Sequence, residues 1–509
     1  MAQTDRIAAA LERVKAVADK YHSHIVPTVD IDRQDREILV RTHWLEEITK
    51  GWYMLTRPDL AAGDSAAWYA NFWDFIRVYL QQRYDNRYCL SAEASLELYS
   101  GNMAMPRQVI AIVPEGGTLL NLPYDTSLMI YADPKNIPDE KIEYDGLQVM
   151  SLPYALCKAA PTYFRNNAEN AEIAMRSVRS SSEISRVIIE NDFRRAADRI
   201  VGAYDFLGME NYAKDIETTI NAIGLTVNKT NPFDMKMPVL SSVKERSPYA
   251  ARIRLLWQKY REEIIHKFPE AKGLPKQKGK YLAAVDKLYE YDAYNSLSIE
   301  GYQVTPALIH RVRNNHWNPE QNQFDNDQRN ALAARGYYDA FQQVKETLAD
   351  ILDGKNPGEC IEQDLSLWYQ QLFSPSVKAN IVSAGDLAGY RNSKVYIRNS
   401  RHTPPTNEVV IDCMEAFFDC LSNEESAAVR AVLGHYIFVF IHPYMDGNGR
   451  IARFILNAML ASGGYPWTIV QVSRRKQYID SLEYTHTENS IAKFCQFIIE
   501  EMAASEQYS

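Results

Sequence analysis

The chain has 509 residues, too many for one ordinary hydrophobic core, so two to four domains are expected. Its composition is globular, 46% hydrophobic and 24% charged, and a formal net charge of −9 disfavours broad electrostatic capture of nucleic acid or of an anionic membrane. The six cysteines are scattered with no CxxC pair and read as free thiols of a reducing compartment. The N-terminal stretch carries charges through its apolar part, unlike a signal peptide, and the longest apolar run, Ala431 to Ile441, is interrupted by His435 and far too short to span a bilayer. A cytoplasmic protein with no membrane contact is expected.

In chain order, residues 1–22 have helical spacing (Ile7, Leu11, Val14, Ala18), and 35–49 reads as a second helix (Ile38, Leu39, Leu45, Ile48) stopped at Gly51. WYMLTRP follows with strand character. Residues 66–83 and 92–100 read as helices, 107–132 as strands around a Gly-Gly turn, and 183–222 again as helical. TVNKTNPFDMKMP (226–238) has linker chemistry with two prolines. From 245 onward nearly everything is helical, apart from polar segments at 268–278 and 399–407 and a strand signal, KVYIRN, at 394–399. The main boundary is placed near 240. Residues 1–60 form a candidate winged-helix unit, 61–240 a mixed α/β region and 241–509 a mainly α domain.

Most of the chemical information lies in HPYMDGNGRIAR, 442–453. Pro443 lacks an N–H and helps end the helix before it, which leaves His442 at a turn between two helices. Gly447 and Gly449 permit φ > 0 and close backbone approach, and Asn448 tolerates the left-handed region. Free N–H groups followed by a helix N-terminus make an anion cradle. Arg450 and Arg453 lie on one face of the first turns, where two guanidiniums oppose the helix dipole unless anions are present. Asp446 is the carboxylate suited to Mg²⁺ bridging phosphate oxygens. A lone histidine at a helix end is usually a cap, and a lone Gly-Asn-Gly is usually a turn. Their conjunction with a carboxylate and paired arginines within twelve residues points to phosphate chemistry.

These residues resemble the signature of the Fic (filamentation induced by cAMP) family, HPFx[D/E]GNGRxxR, with Tyr444 in place of its phenylalanine. The resemblance covers about 245–500 and implies a helical Fic domain with a short flap hairpin. It further implies transfer of AMP from ATP to a Ser, Thr or Tyr hydroxyl of a target protein. His442 would then be the base and Asp446 the Mg²⁺ ligand. Gly447, Asn448, Gly449, Arg450 and Arg453 would hold the phosphates, and Tyr478 would lie near the base. The segment AGDLAGYRNSKVYIRNSRHTPP resembles the flap, with Val395, Tyr396, Ile397 and Arg398 at its centre.

Residues 280–300 read as a helix closed by Gly301 at the position after its end. Glu300 is a carboxylate in the last turn, which the dipole disfavours by about 0.3–1 kcal/mol. SLSIEG resembles the family's inhibitory motif, [S/T]xxxE[G/N], with Ser296, Glu300 and Gly301 in place. That implies an autoinhibited enzyme in which Glu300 pairs with Arg453 against the γ-phosphate. The first 240 residues resemble AbiEi-type antitoxin and regulator proteins. Arg33, Arg36, Arg41 and Lys50 there could face DNA, although neighbouring acids make a solvated helix face the stronger reading. Partners to consider are thus target proteins, the chain itself by auto-modification or self-association, and DNA for the N-terminal region. The motif leaves open removal of AMP, transfer of another phosphate-containing group, and a regulator that uses the Fic module as a sensor.

Overall fold

The structure, a computed structural model, describes residues 3–58, 65–234, 239–240, 247–314 and 328–506. Part of the linker expected at 226–238 and the residues just past 240 lie outside these. The chain forms two compact units, Met1–Pro248 with Tyr396–Thr403, and Tyr249–Val395 with Pro404–Ser509.

The first unit opens with α1 (Gln3–Lys20), β1 (Ile25–Pro27), α2 (Arg33–Arg41), β2 (Leu45–Thr49) and β3 (Trp52–Leu55). The three strands make an antiparallel sheet in the order β1-β3-β2. Ala10, Val14 and Ala18 of α1 pack on Leu39 and Leu45, and Arg13 chelates buried Asp35 through Nε (2.7 Å) and Nη2 (2.6 Å), tying the two helices. The helix expected over 35–49 therefore ends early. Thr42 caps α2, His43 takes φ 58°, and Leu45 and Ile48 are buried from a strand that turns at Gly51. Arg33 pairs with Glu37 and Arg36 lies over the Tyr53 ring, so two of the four basic residues have local partners.

Next come α3 (Ala66–Tyr84), β4 (Cys89–Leu90), α4 (Ala92–Tyr99), β5 (Gln108–Val113), β6 (Thr118–Leu122) and β7 (Thr126–Ala132). These strands form a sheet in the order β4-β5-β7-β6, with β5 and β7 parallel. A hairpin of β8 (Lys141–Tyr144) and β9 (Leu147–Met150) leads into α5 (Leu152–Lys158), α6 (Pro161–Asn166), α7 (Ala168–Arg176), α8 (Ser181–Glu190), α9 (Arg194–Phe206) and α10 (Glu210–Ala222). The strand expected at 394–399 is not formed. Residues 396–403 are irregular and belong to this unit: Met105 N–H donates to the Arg401 carbonyl (2.8 Å), Thr403 N–H to that of Met103 (2.7 Å), and Tyr396 packs on the unit's core. With only the Ala104–His402 bridge for pairing, and with Asn399 at φ 56°, no ladder can propagate.

The second unit comprises α11 (Pro248–Lys267), α12 (Lys278–Ile299), α13 (Pro306–Arg313), α14 (Gln328–Leu352), α15 (Pro357–Lys378), α16 (Val410–Asn423), α17 (Ala427–Ile441), α18 (Asn448–Ser462), α19 (Arg475–Glu488) and α20 (Ala492–Ser505). α17 is buried on every side except at Val439, as expected of a helix apolar all round. Each buried Leu, Ile or Phe of such a helix contributes about 1.5–3 kcal/mol. Gly434 lets α17 approach α18, since a Cβ there would stand 3.1 Å from Ile455. Among the described residues no helix is long and apolar enough to cross a membrane.

α14 and α15 pack along each other, and α15 carries Tyr369 and Phe373 toward the signature loop. Gly336 sets their separation, because a Cβ there would overlap the Leu372 carbonyl oxygen. Gly336→Ala must push the two backbones apart, an overpacking cost of about 1–3 kcal/mol. A lowered urea midpoint with unchanged m-value is the expected result; an unchanged midpoint would show that the helices yield freely.

Candidate active site

α17 terminates on His442, which takes the left-handed conformation (φ 53°, ψ 59°) while its N–H still donates to the Phe438 carbonyl at 3.0 Å. A β-carbon costs roughly 1–2 kcal/mol in that region, so the surroundings must impose it. Arg391 does so. Its N–H donates to the Pro443 carbonyl (2.8 Å) and its Nε to the His442 carbonyl (2.8 Å), while the guanidinium also bonds the Ser393 and Pro405 carbonyls. Buried Arg391 was invisible to sequence reasoning: an arginine in a Gly-, Ser- and Asn-rich stretch looks solvated, and the turn it braces lies some fifty residues away.

The loop after His442 is fixed from within. Tyr444 stacks on Tyr369 with centroids 3.8 Å apart and planes at 6°, so the aromatic wedge survives its hydroxyl. The Asn448 side chain accepts from Tyr444 N–H (3.0 Å) and donates to the Tyr444 carbonyl (2.8 Å), and the residue is buried. One N–H and one lone pair of the amide are used in these two bonds. Gly447 caps α18 at φ 82°, with no room for a Cβ beside Phe373.

Partial burial pushes the His442 imidazole down to about 4. The charge of Arg391 adds to this, and the Val439 backbone, Glu300 and Asp446 oppose it. Its Nδ1 is buried without a good partner, so Nε2 is the ring nitrogen left to meet a substrate. At neutral pH the ring is uncharged and can accept a proton.

Both arginines lie inside the unit. Arg450 is 1% exposed and sits between the rings of Tyr302 (5.1 Å) and Phe373 (5.0 Å), 3.3 Å from the Asp446 carboxylate. Its Nε and Nη2 have no hydrogen-bond partner, and neither does Nη1 of Arg453. Arg453, 4% exposed, donates through Nε to Ser296 Oγ (2.9 Å) and through Nη2 to the Ser296 carbonyl (3.0 Å) and Glu300 Oε1 (2.7 Å). Burial alone would make Arg453 less basic, and Glu300 more than restores it. The Glu300 carboxylate lies so close over Gly449 that a Cβ there would overlap Oε1. The anion cradle is therefore occupied by a side chain of the same protein.

Asp446 stands outside, its side chain 59% exposed, accepting from Gly447 N–H at 2.6 Å. Among the described residues no three His, Cys, Asp or Glu side chains group as metal ligands. A single carboxylate beside a phosphate cradle is nevertheless the donor set with which Mg²⁺ is commonly held, since phosphates and waters supply the rest. The Tyr478 hydroxyl meets His435 Nε2 at 2.8 Å, and its electrostatic neighbours are Arg453 and Glu300. Of the four flap residues, Val395 lies in the second unit while Tyr396, Ile397 and Arg398 fall in the first.

Residues 360–460 match the family described as Fic/DOC family. A Nematostella vectensis protein named "Protein adenylyltransferase Fic" is 25% identical over 273 residues, covering 53% of this chain and 58% of that protein. A Caenorhabditis elegans "Protein adenylyltransferase fic-1" is 32% identical over 133 residues, a quarter of either chain. The chain thus spans little more than half the length of one curated relative and far less of the other. Among solved structures, Fic-1 from C. elegans superposes with a TM-score of 0.36 at 18% identity, covering 70% of this chain and 97% of that one.

Two neutral histidines set an acid limit on stability. Burial pushes His435 to about 3 and His442 to about 4. In the unfolded chain each binds its proton near the ordinary 6.5. Below that value the unfolded state therefore binds protons that the native state refuses. Their stabilisation is complete above about pH 6.5 and is lost as pH falls through 4 and 3, with a slope of up to about 1.4 kcal/mol per pH unit for each group. Buried Asp292, pushed up to about 6, acts in the opposite sense over part of that window, so a variant must be compared with wild type. His435→Gln keeps a partner for Tyr478 and is expected to lose less stability than wild type between pH 7 and pH 5, by urea titration. Equal losses would place the acid sensitivity elsewhere.

Proposed function

We propose, on the premise that residues 360–460 are a Fic/DOC-family domain, that the chain is an adenylyltransferase moving AMP from ATP to a hydroxyl of a target protein. The observation that carries this reading is the pair of buried guanidinium nitrogens without hydrogen bonds, Arg450 Nε and Arg453 Nη1, near the N-terminal turn of α18 and close in sequence to a neutral histidine that ends α17. Buried unpaired donors of this charge call for a polyanion, and the relatives' names supply the activity.

In the proposed reaction His442 Nε2 takes the proton of the target hydroxyl as its oxygen bonds the α-phosphorus. The bond from that phosphorus to the bridging oxygen breaks, and pyrophosphate leaves. Arg450 and Arg453 neutralise phosphate oxygens, and the N-terminus of α18 adds its dipole. Positioning and electrostatics do most of the work in such transfers. Asp446 would hold Mg²⁺, which when bound offsets phosphate charge. Arg391 keeps the His442 backbone in its left-handed turn, and the buried Asn448 amide keeps the loop closed.

Glu300 is proposed as an internal brake. Arg453 Nη2 cannot serve Glu300 and the end of a triphosphate fully at once, so carboxylate and nucleotide compete. Glu300→Gly is expected to raise auto-labelling from α-³²P-ATP at least tenfold, or about 1.4 kcal/mol in barrier, and a second change, His442→Ala, to cancel the gain. A folded Glu300→Gly that labels no better than wild type would reject the brake, and undiminished labelling by the double variant would reject His442 as base. Asp446→Ala in the Glu300→Gly chain should abolish the strengthening of ATP binding by Mg²⁺; calorimetry with and without the metal decides it.

A further inference from the structure

α12 closes with a Schellman turn. Gly301 takes φ 87°, its N–H donates to the Ser298 carbonyl (3.0 Å), and Tyr302 N–H reaches back to that of Leu297 (3.1 Å). Both bonds fix Glu300 and Tyr302 on one rigid turn. Glu300 takes Arg453, while the Tyr302 ring lies against Arg450, 5.1 Å from the guanidinium carbon. Phe373 forms the other wall at 5.0 Å. Arg329 also lies over the Tyr302 ring, at 5.6 Å.

We propose that Tyr302 is a positioning residue of the phosphate site, forming with Phe373 the aromatic slot that holds the Arg450 guanidinium buried without taking up its N–H donors. This rests on the transfer reading above and deepens it. A cation 1% exposed needs compensation. An aromatic face supplies attraction through its quadrupole without consuming a donor; Arg450 Nε makes no hydrogen bond, and Nη2 has only the 3.3 Å contact with the exposed Asp446 carboxylate. Hydrogen-bonding walls would have fixed the guanidinium equally well but would have to be displaced when an anion arrives.

Relief of the brake follows from the same geometry. Glu300 and Tyr302 share one capped turn, so drawing α12 away would free Arg453 and strip a wall from Arg450 at once. α12 is also strapped to its unit. Arg475 Nε donates to the Ile299 carbonyl (2.7 Å), Val472 N–H to Asn295 Oδ1 (2.9 Å) and Tyr281 OH to the Tyr465 carbonyl (2.8 Å), while Leu288, Ala293, Leu297 and Ile299 are buried. A displacement of the Glu300 side chain alone would free Arg453 with these contacts and Tyr302 left in place.

The test compares full-length Glu300→Gly with Glu300→Gly/Tyr302→Leu and Glu300→Gly/Tyr302→Phe, using ATP binding by calorimetry and labelling kinetics. Tyr302→Leu is expected to weaken ATP binding roughly three- to thirtyfold, the span of a cation–π contact from exposed to desolvated sites. The loss should appear in KM for ATP with kcat nearly unchanged, and Tyr302→Phe should restore it because the ring face is kept. Unaltered ATP binding by a folded Leu variant overturns the slot. Tyr302→Leu alone, in a chain with Glu300 intact, should not activate; activation to the level of Glu300→Gly would make Tyr302 part of the brake and overturn the proposal. The binding arm needs no target and decides the slot even if no AMP is transferred.

Discussion

Arg453 is a cation buried close to the N-terminal end of α18, where the helix dipole opposes it, and it is tolerated because Ser296 and Glu300 bond it. Removing one partner from a buried ion pair typically costs about 3–5 kcal/mol, since the other charge is stranded. The end of α12 is thereby committed to α18. The bond does not require glutamate as such; any anion delivered to the same nitrogens satisfies it. A pair held by this requirement is stable without ligand and exchangeable in its presence, and stability and control of the site share one contact.

The left-handed turn at His442 works differently, because it is set by bonds to backbone carbonyls and by ring packing rather than by an ion pair. Arg391 bonds carbonyls on both sides of the turn, Asn448 closes the loop on Tyr444, and Tyr369 stacks beneath it. The backbone that aims the base is pre-organised, while the guanidiniums around it keep unused donors. This is the division expected of a site in which rate comes from electrostatics arranged in advance.

What could be read in the sequence was what is local. Pro443 and the two glycines mark the helix end, turn and helix start within twelve residues, and Gly301 marks the end of the helix read over 280–300. Arg391 and the Tyr302–Phe373 slot were not legible, because their partners lie tens of residues away along the chain and nothing nearby betrays burial. The two bonds that tie the Asn448 amide to Tyr444 were hidden for a related reason: only the folded loop brings the two residues together. The false helix over 42–49 and the false strand over 394–399 are both cases of periodicity judged without knowing the pairing partner. Leu45 and Ile48 fit a helix until β3 is seen beside them, and KVYIRN fits a strand until it is seen to have no neighbour to pair with.

The placement of Glu300 on a rigid cap, rather than on a flexible loop, has a thermodynamic consequence. A loop-borne carboxylate would lose chain entropy each time it bound Arg453, and its effective concentration there would be modest. On a Schellman turn buttressed by Arg475 and Asn295 that entropy is already spent in folding, so the carboxylate meets Arg453 at a high effective concentration. Its freedom is reduced to side-chain torsions, which cost little to change and need no backbone motion. The Glu300 carboxylate on Arg453 and the Tyr302 ring against Arg450 are thus carried by one rigid turn.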